Sequence, residues 1–69
     1  MELHAVIVKK PITLKDAKKK ASNFTDKSYY RETDTSYRFR NIPKTKFERN
    51  SFRSKPIGED LTLVYGKLN

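Results

Sequence analysis

The sequence of 69 residues contains no cysteine and no tryptophan, a single histidine and only two glycines. Without cysteine the chain forms neither disulfides nor thiolate metal sites, and one histidine cannot build a histidine-based metal site. The isolated glycines, Gly58 and Gly66, exclude a glycine-rich phosphate loop. The serines lack the context of a nucleophile elbow. The sequence therefore predicts no catalytic residues, no metal site and no cofactor, and we expect a protein that is not an enzyme.

Long apolar runs are also missing. The run near the start, from Ala5 to Val8, is far too short for a signal-peptide core or a membrane span. We therefore expect a soluble, unprocessed and intracellular protein with no membrane partner. A chain of this length forms one small domain, residues 1–69, with a marginal core, so that a partner or self-association into a homo-oligomer is plausible.

Positive charge is abundant, with a net charge of +8 and a pI of about 9.9. Such a balance favours an acidic partner, which could be nucleic acid, an anionic membrane surface or an acidic protein. Residues 1–28 carry a net charge of +4, residues 29–56 carry +5, and residues 57–69 carry −1. The basic residues of the first part are all lysines, whereas the second part contains every arginine of the chain.

The first apolar segment, residues 3–8 (LHAVIV), has apolar side chains on both alternating faces. This pattern predicts a strand that is buried on both sides. On this alternation His4 shares a face with Val6 and Val8. Two interpretations of His4 are open: a partly exposed histidine at a strand end, or a pH switch or ligand.

A single helix is predicted from about Leu14 to Asn23. Thr13 stands three residues before Asp16, which is a variant of the capping box. Four apolar residues at helical spacing form a narrow stripe that would pack on a sheet: Leu14, Ala17, Ala21 and Phe24. The lysines on the rest of the helix form either a solvated face or an auxiliary phosphate contact: Lys15, Lys18, Lys19 and Lys20.

Two further strands, residues 29–33 and 36–42, are predicted to form a hairpin. A tight two-residue turn gives this cross-strand register: Tyr29 opposite Arg40, Tyr30 opposite Phe39, Arg31 opposite Arg38, and Glu32 opposite Tyr37. Like charges that face each other across strands are unfavourable. The opposition of Arg31 and Arg38 therefore makes more sense if an anion binds there. A three-residue loop would change this register.

The remaining segments complete an α+β fold. Pro43 ends the hairpin strand or forces an edge or a bulge there. The following residues form either a second short hairpin turning at residues 49–50 or an ordered loop pinned by two phenylalanines. Residues 61–68 form a last apolar strand beside the first, with Gly66 at a bulge or a close approach. We predict one helix packed on a small, mostly antiparallel sheet of four to five strands, in the order β-α-β-β-(β)-β.

Residues 29–56 carry the predicted binding surface, because they include all five arginines and six of the eight aromatic residues. Arginine binds phosphate through a planar fork of donors, and aromatic rings stack on bases. The candidate nucleic-acid-binding residues are Arg31, Arg38, Arg40, Lys44, Lys46, Arg49, Arg53, Lys55, Tyr29 and Tyr37. Tyr37 has an alternative place in the core.

Three acidic residues lie within the same stretch: Glu32, Asp34 and Glu48. They could hold a divalent metal for phosphoryl chemistry. Their more ordinary role is to pair with neighbouring arginines, and this is what we predict.

The segments YYRETDTSYRFRNIPKTKF, SFRSKPI and LTLVYGKL, with the opening HAVIVKK and the helix, cover nearly the whole chain. In these segments the sequence resembles small proteins encoded by large nucleocytoplasmic DNA viruses. The resemblance implies no activity and no residue roles. It implies an intracellular viral setting, in the host cell or the virion, with much DNA and RNA to bind, package or transcribe.

Two functions follow as hypotheses. The first is a non-enzymatic nucleic-acid-binding protein with little sequence specificity for its DNA or RNA. The second is a structural or interaction protein, such as a minor virion component or adaptor, that docks on an acidic viral or host protein. An exposed apolar patch of Tyr29, Phe47 and Phe52 would favour the second hypothesis. A continuous basic groove with exposed ring faces would favour the first.

Overall fold

Five strands and one helix make up the protein, as a computed structural model of residues 1–27 and 29–69 describes it. The elements are β1 (Glu2–Lys9), α1 (Leu14–Ala21), β2 (Tyr30–Glu32), β3 (Ser36–Arg40), a 3₁₀ turn (Lys44–Lys46), β4 (Arg53–Pro56) and β5 (Leu61–Gly66). The strands form one antiparallel sheet in the order β2-β3-β1-β5-β4. The predicted α+β fold is confirmed, and the two most apolar strands, β1 and β5, are neighbours inside the sheet as expected. No helix in the described part of the chain has the length and apolar character needed to cross a membrane.

The helix α1 is shorter than predicted, although its start is confirmed. The Thr13 hydroxyl accepts a hydrogen bond of 3.2 Å from the backbone N–H of Asp16. The helix ends at Ala21, where the Ser22 hydroxyl bonds back to the carbonyl of Lys19 instead of supporting another helical turn. Phe24 therefore lies beyond the helix and is 37% exposed, so it does not extend the buried stripe.

The main core lies between α1 and one face of the sheet, which we call the helix side. Ala17 and Ala21 are buried against this face, and their small side chains allow the helix to lie close to the strands. The core consists of Val6, Val8, Ala17, Ala21, Tyr37, Phe39, Leu61 and Leu63. We call the opposite face of the sheet the open side, and no α-helix of the described residues packs on it.

An irregularity in β1 places His4 on the open side. Leu3 pairs with Tyr65 of β5, but Ala5 pairs with the next residue of that strand, Val64, so His4 is an extra residue in β1. The ring of His4 contacts Phe47, which packs over the open side. The prediction that His4 shares a face with Val6 and Val8 is therefore wrong, because the bulge interrupts the alternation on which it was based.

Residues 41–52 cover part of the open side as an ordered loop, which was one of the two predicted alternatives. After the 3₁₀ turn, Phe47 forms an isolated bridge with Leu68 and is only 5% exposed. Asn50 adopts a left-handed φ of 63° at the tip, a conformation that asparagine tolerates. Phe47 lies directly on Gly66, where an added Cβ atom would be 2.6 Å from the ring. The prediction of a close approach at Gly66 is confirmed.

Candidate functional site

The hairpin of β2 and β3 separates rings from arginines. Its register is the predicted one: Tyr30 opposite Phe39, Arg31 opposite Arg38, and Glu32 opposite Tyr37. The turn is held by the Thr33 hydroxyl, which accepts hydrogen bonds from the backbone N–H groups of Thr35 and Ser36. Since side chains alternate along a strand, the rings of β3 face the helix side and its arginines face the open side.

The arginines border a groove of about 510 Å³ on the open side, which we call the arginine groove. Its lining residues are His4, Ala5, Tyr29, Tyr30, Arg31, Arg38, Arg40 and Lys44. Ala5 is buried, whereas Arg31, Arg38 and Arg40 are exposed. The groove therefore combines a small apolar floor with exposed cationic groups at its border.

Tyr29 and Arg40 form a stacked pair in this groove. The guanidinium carbon of Arg40 lies 4.5 Å from the centroid of the Tyr29 ring, a cation–π distance. The backbone N–H of Arg40 also donates to the carbonyl of Tyr29, so the pair is held at the end of the hairpin. Tyr29 remains 62% exposed. One face of an aromatic ring is thus stacked on a cation while much of the ring is accessible to a ligand.

Two of the three acidic residues near the arginines, Glu32 and Glu48, pair with lysines. Glu32 accepts from Lys10 at 2.5 Å, and Glu48 lies 3.8 Å from Lys67. Among residues 1–27 and 29–69, all four salt bridges use a lysine and none uses an arginine. The prediction that the acids of this stretch pair with arginines is therefore wrong. Strand alternation explains this for Glu32, which points to the helix side, away from the adjacent Arg31.

Two of the four salt bridges, Lys10 with Glu32 and Lys20 with Asp60, shift the pKa of one partner. The hydrogen bond to Glu32 raises the pKa of Lys10 above its ordinary value. The hydrogen bond from Lys20 lowers the pKa of Asp60 below its ordinary value. Both pairs lie outside the arginine groove. No group of three or more acidic or histidine side chains that could hold a metal ion occurs in the described part of the chain.

A second cavity of about 670 Å³ adjoins the arginine groove, and we call it the phenylalanine cavity. Its lining residues are Lys44, Thr45, Phe47, Arg49, Asn50 and Phe52. Lys44 lines both spaces, and the ring of His4 lies beside both, since it lines the groove and contacts Phe47 and Phe52 at centroid distances of 5.2 and 5.0 Å. The β2–β3 hairpin, which borders the groove, and residues 44–52, which line the cavity, therefore form adjoining surfaces.

His4 is held in place at this junction by its hydrogen bond. Its Nδ1 atom lies 2.7 Å from the carbonyl oxygen of Ile42, and since that oxygen only accepts, Nδ1 carries the proton and donates. Sequence reasoning missed His4 as a lining residue because a bulge cannot be read from a run that is apolar on both faces.

Not every predicted residue lies at the site. Tyr37 is buried in the core at 8% exposure, so the alternative place foreseen for it is correct and its ring is not available for stacking. Arg53 and Lys55 pair in register with Tyr65 and Leu63, which puts them on the helix side. Lys46 lines neither cavity.

The residues that do converge are Tyr29, Arg31, Arg38, Arg40, Lys44 and Arg49. Five cations beside the accessible ring of Tyr29 can bind phosphate groups and stack on a planar group. No known protein family, curated protein or solved structure matches this chain, so this geometry and chemistry are the basis for assigning a function.

Proposed function

We propose that the protein is a non-enzymatic nucleic-acid-binding module whose arginine groove contacts phosphates with little sequence specificity. The observation that carries the proposal is the placement of Arg31, Arg38 and Arg40 on one sheet face with no salt bridge to any described acid. Lys44 and Arg49 extend the positive charge along the adjoining cavity. The proposal includes an intracellular viral setting for this binding, on the ground of the sequence resemblance alone.

The groove arginines form no salt bridge with a described residue, and this supports the proposal. A basic surface with no function would be more stable with acidic residues nearby. Arginines that face each other across strands repel each other. A bound phosphate removes this repulsion and accepts charge-assisted hydrogen bonds from the guanidinium groups. The arrangement of Arg31 and Arg38 is therefore unfavourable in the free protein and favourable in a complex with an anion.

The aromatic residues support nucleic acid over an acidic protein as the partner. Phe47 is 5% exposed and Phe52 is half-buried, so these rings do not join Tyr29 in an exposed apolar patch. Protein interfaces usually have an apolar centre, and this surface instead has a groove bordered by arginines with the exposed tyrosines Tyr29 and Tyr30. Docking on an acidic protein is the competing outcome of the experiment below.

Fluorescence polarisation with labelled oligonucleotides at several salt concentrations tests the proposal. Each neutralised phosphate contributes about −0.7 to −0.9 to the slope of log K against log salt, so the three groove arginines predict a slope of about −2 to −3. The variant Arg38→Ala should reduce the slope by about 1. Lys55→Ala is the matched control, because it removes one exposed charge from the other side of the sheet and should change the slope less.

Three results would contradict the proposal. The first is binding that does not depend on salt. The second is an equal loss from Arg38→Ala and Lys55→Ala, which would mean that net charge matters and the groove does not. The third is tighter binding to polyglutamate than to an oligonucleotide of equal charge, which would favour the acidic-protein partner.

A further inference from the structure

We infer that the arginine groove takes a single strand, with one unpaired base stacked on Tyr29 against Arg40. This inference rests on the proposed function and specifies the form of nucleic acid that the site binds. It depends on the shape of the groove, on the stacked pair and on the spacing of the arginines.

The shape of the basic surface does not suit a duplex. Proteins that read duplex DNA place a protruding helix or ribbon in a groove of the nucleic acid. Here α1 has only eight residues and lies on the helix side, away from the groove arginines Arg31, Arg38 and Arg40. The arginines instead border a concave space above the buried Ala5. A concave basic groove with an aromatic ring is typical of surfaces that bind single strands.

The stacked pair leaves the ring of Tyr29 placed where a base can stack on it. Arg40 covers one face of the ring at 4.5 Å, and the 62% exposure of Tyr29 leaves room for a planar ligand on the ring. The guanidinium is planar, so its N–H donors point outward in the plane, where a phosphate of the same strand can accept from them. A base in a duplex has both faces covered by its neighbours, so only an unpaired base can occupy this position.

The arginines are spaced for successive phosphates. Arg38 and Arg40 are two residues apart on one face of β3, a separation of about 6.6 Å between their Cα atoms. Arg31 lies directly across from Arg38 at about 5.5 Å. These long side chains can therefore reach neighbouring phosphates of one strand while the base next to them stacks on Tyr29.

The phenylalanine cavity gives the strand a path beyond the groove. Lys44 lines both spaces, and Arg49 lines the second one. A strand that leaves the arginine groove past Lys44 meets a further cation and the half-buried ring of Phe52. The site should therefore hold more than one nucleotide.

Three labelled probes of equal length test the inference by fluorescence polarisation: a thymidine oligonucleotide, the same strand as a duplex, and an abasic strand with the same phosphates but no bases. The wild-type protein should bind the thymidine strand about 5- to 150-fold more tightly than the abasic strand, the range that stacking of one base provides. Tyr29→Ala should remove this ratio, whereas Tyr29→Phe, which keeps a planar ring, should retain most of it. Arg38→Ala should weaken binding to the thymidine and abasic strands alike. Circular dichroism shows whether each variant is folded.

The results separate this inference from the proposed function. If the wild-type protein binds the duplex as tightly as the thymidine strand, or if Tyr29→Ala leaves the thymidine-to-abasic ratio unchanged, the single-strand inference is wrong and nucleic-acid binding stands. If no probe binds, both proposals are wrong. The inference is supported only if the preference for bases is present in the wild type and depends on the ring at position 29.

Discussion

Arg31 faces Arg38 directly across the hairpin, and this leads to an unusual prediction for stability. Most substitutions destabilise a protein, but the variant Arg31→Thr should stabilise this one in the absence of a ligand. The two arginines are paired in register, and neither forms a salt bridge with a described residue. Threonine suits an exposed strand, so the substitution removes the repulsion and keeps the strand.

The size of the effect follows from the separation of the charges. Two unit charges about 7 Å apart in water repel by about 0.6 kcal/mol, and screening at physiological salt reduces this by about half. Measured cross-strand like-charge effects extend the range to about 1 kcal/mol. A gain of about 0.3 to 1 kcal/mol in a domain of this size corresponds to a rise in Tm of about 1 to 8 °C.

Urea and thermal unfolding monitored by circular dichroism measure this gain, with Lys55→Thr as the matched control. Lys55 is also an exposed residue of a strand at the edge of the sheet, but it pairs with Leu63 and faces no like charge. Both variants lose one positive charge, so the difference between them isolates the opposition of the arginines. The double variant Arg31→Thr/Arg38→Thr completes a cycle that gives the coupling energy between the two residues.

Salt provides the decisive comparison for this prediction. At about 1 M salt the Debye length falls to about 3 Å, so the advantage of Arg31→Thr over Lys55→Thr should disappear. The reasoning is refuted if both variants change stability equally at low salt. It is also refuted if the advantage of Arg31→Thr survives at high salt, since a packing effect and not charge would then explain it.

Two further predictions concern the packing of Phe47 on Gly66 and the salt bridge between Lys20 and Asp60. Gly66→Ala places a Cβ atom 2.6 Å from the ring of Phe47; this should cost about 1–3 kcal/mol in urea unfolding, and adding Phe47→Leu should recover part of the loss. The lowered pKa of Asp60, caused by Lys20, means that this carboxylate contributes to stability above its unfolded value of 3.8 and loses that contribution as the pH falls through the lower folded pKa. Asp60→Asn should therefore make stability depend less on pH below 3.8, and an unchanged acid-unfolding profile would contradict the assignment.

The hairpin was predictable because several local signals agree. Rings and arginines alternate strictly in residues 36–40, and a two-residue turn fixes the pairing of Arg31 with Arg38. The N-cap at Thr13 was predictable for a similar reason, since its side chain bonds within its own helical turn. Both features depend on residues close together in the sequence.

The phenylalanine cavity and its junction with the arginine groove depend on contacts between residues far apart in the sequence. No local sequence pattern reveals these contacts. The bulge that turns His4 to the open side appears only when β1 pairs with β5. Phe47 and Phe52 have no regular spacing, and their places are set by Gly66 and His4 from opposite ends of the chain. The junction between the groove and the cavity is a product of this tertiary packing.

The pairing of the acids explains how the groove keeps its charge. Glu32 follows Arg31 in the sequence, but the strand period of two sends it to the helix side, where Lys10 neutralises it. An acid at position 31 or 38 would have put a counter-charge in the groove without changing the alternation of rings and polar residues. Instead both positions are arginine, in a fold whose small core leaves little stability in reserve. A local arrangement that opposes stability without a compensating contact is expected at functional sites, and under the proposed function a bound anion would supply that contact.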